Sequence, residues 1–330
     1  MIHHAKREII YSVEHFYPKH PGHPIAPLTA EHRGFFRAEG FASSTLAIAG
    51  DDTGSIDLLL AGKTAFSMDA HPAMVIEANA QGKDLYIIGS YRNGLPFGIA
   101  ALAGRVRRPS DLKGKKLATN RRFGAGERMT RAAFTSLGLD PDKDLEIVLI
   151  HNEGMSEKLD ALRKGRADFL VYHYNNPMGL DVNLAEGEVE TVLDLSMLFP
   201  NYVVRSMTTT GRMLREQPET VKAFIKGVMR AHLFMKNEDP AGRAVMEVLA
   251  RALNVASLEG SDIESGIPKT WFLEPQQVIA STEGIKSHIE DLKAKGGLDP
   301  RYGIERVVRS ELAHLAAAEL RPQSSARSTP

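Results

Sequence analysis

The chain has 330 residues, 43% apolar and 25% charged, and its 41 Lys plus Arg balance 41 Asp plus Glu. That length exceeds what one hydrophobic core usually serves, so two lobes are expected, and zero formal charge gives no reason to expect nucleic acid or an anionic membrane as partner. The absence of cysteine removes disulfides, thiolate nucleophiles, iron-sulfur clusters and cysteine zinc sites together, and without a run of about 18 apolar residues no membrane insertion is expected.

The start, Met1 to Tyr11, lacks the apolar stretch of roughly 7 to 15 residues and the small-residue cleavage site of a secretory signal. As written, the chain is expected in the cytoplasm; a periplasmic location is expected if a leader precedes Met1. Glu8 to Ser12 reads as the first strand, with Glu14, His15 and Tyr17 just beyond its carboxyl end, where ligands sit in open α/β sheets. His15, His20 and His23 invite a metal hypothesis, but no carboxylate spacing supports it and loop histidines are usually solvated, so no metal is expected. Leu28 to Arg37 is predicted helical, Thr45 to Ile48 a strand, Ile56 to Ala61 a helix and Lys63 to Ser67 a short strand. Ser67, Asp69 and His71 then stand at the mouth of the first lobe, with Pro72 opening a helix; the alternatives are a helix cap for Asp69 and a packed or solvated ring for His71. Leu85 to Ser90 is an apolar strand, and Tyr91 to Gly94 signals a turn.

In the second lobe a polar turn, Pro109 to Gly114, precedes a strand from Lys116 to Thr119. Arg121, Arg122 and Gly124-Ala125-Gly126 follow, before a helix to Leu137 marked by Met129, Ala132, Ala133 and Phe134. Unpaired first-turn amides beside two arginines suit a carboxylate, sulfonate or phosphate; a helix self-capped by Glu127, with solvated arginines, is the alternative. A strand at Glu146 to Ile150 and a helix at Glu157 to Lys164 lead to a strand at Ala167 to Tyr172. Beyond it, Tyr172, His173 and Asn175 combine rings and hydrogen-bonding groups fit for a flat aromatic or heterocyclic ligand, against the alternative of a Tyr-rich turn packed on a helix. The chain is expected to return to the first lobe around Pro200 to Thr210, giving segments 1–97, 98–205 and 206–320 and a disordered tail at 321–330. Amphipathic helices are predicted from Pro218, around Val245 to Leu253, over Gln276 to Lys295 and over Ile304 to Leu320, with Trp271 as a structural anchor.

Three runs, Ala26 to Gly40, Pro109 to Ala118 and Lys158 to Asp168, resemble signatures of the type II periplasmic-binding fold, in the branch with sulfonate, taurine and nitrate binding proteins and thiamine-pyrimidine synthases. The resemblance implies an α/β, two-lobed fold with a hinged ligand cleft. It also implies a substrate-binding protein of ABC-importer type for a small organic anion or an aromatic or heterocyclic molecule, with a permease as partner and no cofactor. The same fold serves cytoplasmic enzymes, among them aromatic sulfinate desulfinases and dihydroxyphthalate decarboxylases. Ile10 to Glu14 resembles the desulfinase start, where a cysteine takes the place of Glu14; that cysteine is absent here, as is the cysteine-rich motif of the pyrimidine synthases. The remaining enzymatic alternative is decarboxylation or hydrolysis of an aromatic acid, with Glu14, His71 or His173 as acid or base and Arg121 or Arg122 holding a carboxylate.

Overall fold

The computed structural model describes residues 7–18, 22, 24–93, 97–119, 125–150, 155–173, 187–258 and 274–321. His20, His23, Arg121, Arg122, Asn175, Trp271 and residues 322–330, on which several expectations rest, lie outside these, and of His173 only the backbone lies within them. The described residues form two compact units, 7–93 with 201–258 and 274–321 in the first, and 97–200 in the second.

The first unit holds strands β1 (Arg7–Val13), β2 (Phe41–Ile48), β3 (Phe66–Ala70), β4 (Leu85–Asn93) and β10 (Val203–Thr210), and the second holds β5 (Phe97–Leu102), β6 (Lys115–Thr119), β7 (Leu145–Leu149), β8 (Phe169–His173) and β9 (Val189–Asp194). Their orders, β2-β1-β3-β10-β4 and β7-β6-β8-β5-β9, follow one plan. In each sheet four strands point the same way, and the fourth across the sheet, β10 or β5, runs antiparallel to both of its neighbours. Strand β10 pairs Val203 with Asn93, so the chain is back in the first sheet before Arg205, and a boundary after that residue would cut a strand.

Helices α1 (Ile25–His32), α2 (Phe35–Ala38), α3 (Asp52–Leu60) and α4 (Pro72–Ala80) belong to the first unit, and α5 (Ala125–Ser136), α6 (Met155–Arg163) and α7 (Leu195–Leu198) to the second. The first unit then adds α8 (Gly211–Glu216), α9 (Pro218–Asn237), α10 (Arg243–Leu253), α11 (Pro275–Val278), α12 (Thr282–Ala294) and α13 (Glu311–Glu319). Phe224 of α9 is the hub of its core: it stacks on Phe66 at 4.0 Å and Phe36 at 5.2 Å, and reaches Tyr11 at 6.1 Å, so one ring ties α9 to β1, β3 and α2.

Several predicted elements differ for local reasons. The helix over 28–37 is broken by Gly34, whose φ of 74° suits glycine and ends the first piece. The predicted turn at Tyr91 is strand, because β4 continues to Asn93 against β10. The strand expected at Lys63 begins at Phe66 and carries Ser67 and Asp69 inside the sheet. The helix over 276–295 is two, α12 being restarted by the Ser281 side chain, which accepts from the Gly284 amide. The last helix starts only at Glu311, because residues 307–309 add to the edge of β4: the Ile87 amide donates to the Val307 carbonyl at 2.9 Å and the Arg309 amide to the Ile87 carbonyl at 2.8 Å. That pairing covers an edge that would otherwise present unmatched backbone groups. Strands β5, β9 and β10 have no counterpart among the predicted strands.

The close seat of α12 on the start of β10 depends on Gly284, where an added Cβ would clash with the Asn201 carbonyl oxygen and the Val203 nitrogen. Gly284→Ala is therefore expected to lower stability by about 1–3 kcal/mol in urea unfolding, although Ala is the better helix former. An unchanged midpoint would show that α12 is not seated this closely.

Candidate functional site

In the first sheet β1 and β3 run parallel and β10 runs against them, which brings the first residues of β10 and the last residues of β4 to the carboxyl ends of β1 and β3. Ser206 lies opposite both Ala70 and Ser90. Glu14, Asp69, His71 and Arg205 meet there. The Glu14 amide donates to both Asp69 oxygens, at 3.0 and 2.9 Å. The Glu14 carboxylate accepts from the Arg205 guanidinium at 2.8 Å through one oxygen, and its other oxygen lies 3.0 Å from His15 Nε2. Arg205 also donates to the Asp69 carbonyl at 3.1 Å, so its guanidinium bridges the ends of β1 and β3. Asp69 is fully buried, the Glu14 side chain 11% exposed and that of Arg205 23%.

Beside this pair, His71 is buried and caps α4, its Nδ1 accepting from the Ala73 amide at 3.3 Å. That acceptor role puts the ring's proton on Nε2 when the ring is neutral. His71 meets the ring of buried His288 edge to face at 5.4 Å. His288 Nε2 lies 2.8 Å from the Val203 carbonyl, and the Tyr202 ring lies 4.4 Å from its own. On the outer side, His15 and Tyr17 meet at 6.0 Å in an edge-on arrangement, and Tyr17 is 40% exposed.

Of the first-lobe candidates, Glu14, His15, Tyr17, Asp69 and His71 are thus brought together, though not all in the expected roles. Asp69 is not a helix cap; it binds the Glu14 amide, and the cap is His71. Ser67 is not at the mouth but inside β3, fully buried, and its hydroxyl has no hydrogen-bond partner. Arg205 and His288 were not anticipated. The signal for Arg205 was a lone cation within a β-branched run, and for His288 a polar residue on the same helical face as Ile285, Ile289 and Leu292.

In the second unit, Tyr172 is a packed core residue rather than an exposed stacking platform. Its ring lies on Gly98, where an added Cβ would fall 2.6 Å away, and its hydroxyl bonds to Thr191 on β9. Burial pushes its phenol up, against a smaller opposing pull from the Thr191 bond. Glu127 in the first turn of α5 is fully buried and paired with Arg131 at 3.1 Å; Arg131 also holds Asp142 at 2.6 Å. A carboxylate therefore does occupy the start of α5, while the anion site expected with Arg121 and Arg122 lies outside the described residues. Among the described residues no three His, Asp or Glu side chains converge to hold a metal, and no helix is long and apolar enough to cross a membrane.

Removing the guanidinium leaves a largely buried carboxylate without its charged donor. Arg205→Met is expected to cost about 1.5–3 kcal/mol by chemical unfolding, in the range of hydrogen bonds to charged groups. Tyr172→Phe is expected to cost only about 1 kcal/mol, because Thr191 is exposed and can turn to water. A larger loss for Tyr172→Phe than for Arg205→Met would reverse this ranking of the two sites.

Residues 23–241 match the family model described as NMT1/THI5 like. No curated protein sequence matches the chain. Among solved structures, the periplasmic aliphatic sulphonate binding protein SsuA from Escherichia coli superposes with a TM-score of 0.67 at 14% identity, covering 93% of each chain. The periplasmic nitrate-binding protein NrtA from Synechocystis PCC 6803 gives 0.63 at 15% identity, covering 96% of this chain and 89% of its own. A putative sulfonate ABC transporter's periplasmic sulfonate-binding protein SsuA, from Methylobacillus flagellatus KT, gives 0.65 at 15%, covering 97% and 96%. The chain has the type II periplasmic-binding-protein fold and belongs to the NMT1/THI5-like family.

Proposed function

We propose that this chain is a substrate-binding protein of ABC-importer type, taking a small organic molecule, aromatic or heterocyclic, at the rim where β1, β3 and β10 meet. The observation that carries the reading is the Glu14–Arg205 pair, held at the strand ends by Asp69 and flanked by the half-buried ring of His15 and the exposed ring of Tyr17. Such a rim offers a fixed polar anchor next to aromatic surface, the combination that orients a small ligand. Family membership, and the fact that the similar structures are binding proteins, support the binding reading and leave the ligand open.

Chemistry on an aromatic acid is the weaker reading. Nδ1 of His71 is committed to the α4 cap, which leaves the ring's proton on Nε2 and no free acceptor on the neutral ring. A general base needs a free acceptor within reach of the proton it takes. Glu14 is tied to Arg205 and His15, which suits a fixed anchor that positions a ligand.

The test is a thermal-shift screen against aromatic carboxylates, sulfonates, nitrate, pyrimidines and small amines, each hit then being incubated with the protein and recovered for mass spectrometry. A ligand at 100 times its Kd adds about 2.7 kcal/mol, roughly 5–10 °C for a unit of this size. Hits recovered unchanged support the binding protein; a consumed hit makes the chain an enzyme, and a panel without hits removes the reading.

A further inference from the structure

We propose that the end of the ligand seated at the first unit carries a hydrogen-bond-donating nitrogen, an ammonium or a ring amino group, received by the Glu14 carboxylate and flanked by His15 and Tyr17. The inference deepens the rim reading above and rests on it.

It follows from how the charges at the rim are used. Two carboxylates, Glu14 and Asp69, face one guanidinium. Arg205 is turned inward, one nitrogen on the Asp69 carbonyl and another on Glu14, so its charge is spent on the protein. Asp69 is fully buried and bonds the Glu14 amide with both oxygens. Glu14 differs. An ionised carboxylate offers about four acceptor positions, and Arg205 and His15 take one on each oxygen. The side chain keeps an 11% exposed edge, so acceptor capacity remains on a group whose orientation is fixed by its own backbone amide.

A carboxylate or sulfonate brought to that edge meets a like charge, whereas an N–H group completes the unused acceptor positions of Glu14. An independent feature points to the same chemistry. The His15 and Tyr17 rings stand edge to face beside Glu14 with Tyr17 substantially exposed, and aromatic faces attract cationic or partly positive nitrogen. An acceptor carboxylate at the base with rings at the side is a receptor for an amino group.

The experiment measures Kd by calorimetry for compounds matched except for the amino group: benzylamine with benzyl alcohol, 4-aminobenzoate with benzoate, 2-aminoethanesulfonate with ethanesulfonate, and 4-aminopyrimidine with pyrimidine. In the wild type the amino member of at least one pair is expected to bind about 10-fold or more tightly than its partner. Glu14→Gln should erase most of that preference. Tyr17→Ala, at an exposed position where folding is not at stake, should weaken the amino member more than its partner. Binding of the amino-free members with equal or higher affinity overturns this inference and leaves the rim reading standing; a preference unchanged in Glu14→Gln overturns it as well. If no member of any pair binds, both readings fall.

Discussion

The rim of the first unit depends on one buried contact, both oxygens of Asp69 on the single amide of Glu14. A fully buried carboxylate is costly unless its lone pairs are met. Here it is met by a backbone group at the end of the neighbouring strand, so satisfying Asp69 also fixes where β1 stops and how Glu14 leaves it. Glu14 then faces Arg205, and Arg205 returns to the Asp69 carbonyl, closing a loop of bonds through three strands. His71, two residues beyond Asp69, takes over as the cap of α4 because the carboxylate is already used. The polar chemistry of the rim is therefore one connected network rather than a set of separate side chains.

Much of the fold was legible in the chain because alternation and helical periodicity are local. Seven of the ten described strands were readable from runs such as Glu8 to Ser12 and Leu85 to Ser90, and Val221, Phe224, Ile225 and Val228 gave the buried face of α9. What escaped were features decided by partners far along the chain. Tyr91 to Asn93 carries turn residues yet is strand, because β10 arrives more than a hundred residues later. Tyr172 looked like a ligand platform because aromatic residues at a strand end are ambiguous until Gly98, on another strand, is seen to leave room for the ring. Arg205 was hidden for the same reason: its partners are 136 and 191 residues away.

The part of the chain after the family match, which ends at residue 241, completes the first unit. Helix α12 brings His288 against His71 and the Val203 carbonyl, and residues 307–309 cover the open edge of β4. The Tyr302 hydroxyl donates to Asn79 at 2.6 Å, tying the same segment to α4, and burial pushes that phenol up to about 12. Sites and edges of the first unit thus draw on sequence outside the matched family segment.

The position of β10 has a consequence for biosynthesis. Of the described strands it is the last to leave the ribosome but the fourth across its sheet, between β3 and β4. The strands of the second unit, β5 to β9, are all translated before it, so that sheet has all its strands while the first is still split. Until β10 emerges, β3 and β4 have unpaired edges and Asp69 lacks Arg205 beside it. Closing a gap of this length costs only slowly more entropy as it grows, but the open edges during the wait are the kind that recruit other strands. Pairing of β10 therefore completes the Glu14–Asp69–Arg205 network and removes two open edges of the nascent chain in one step.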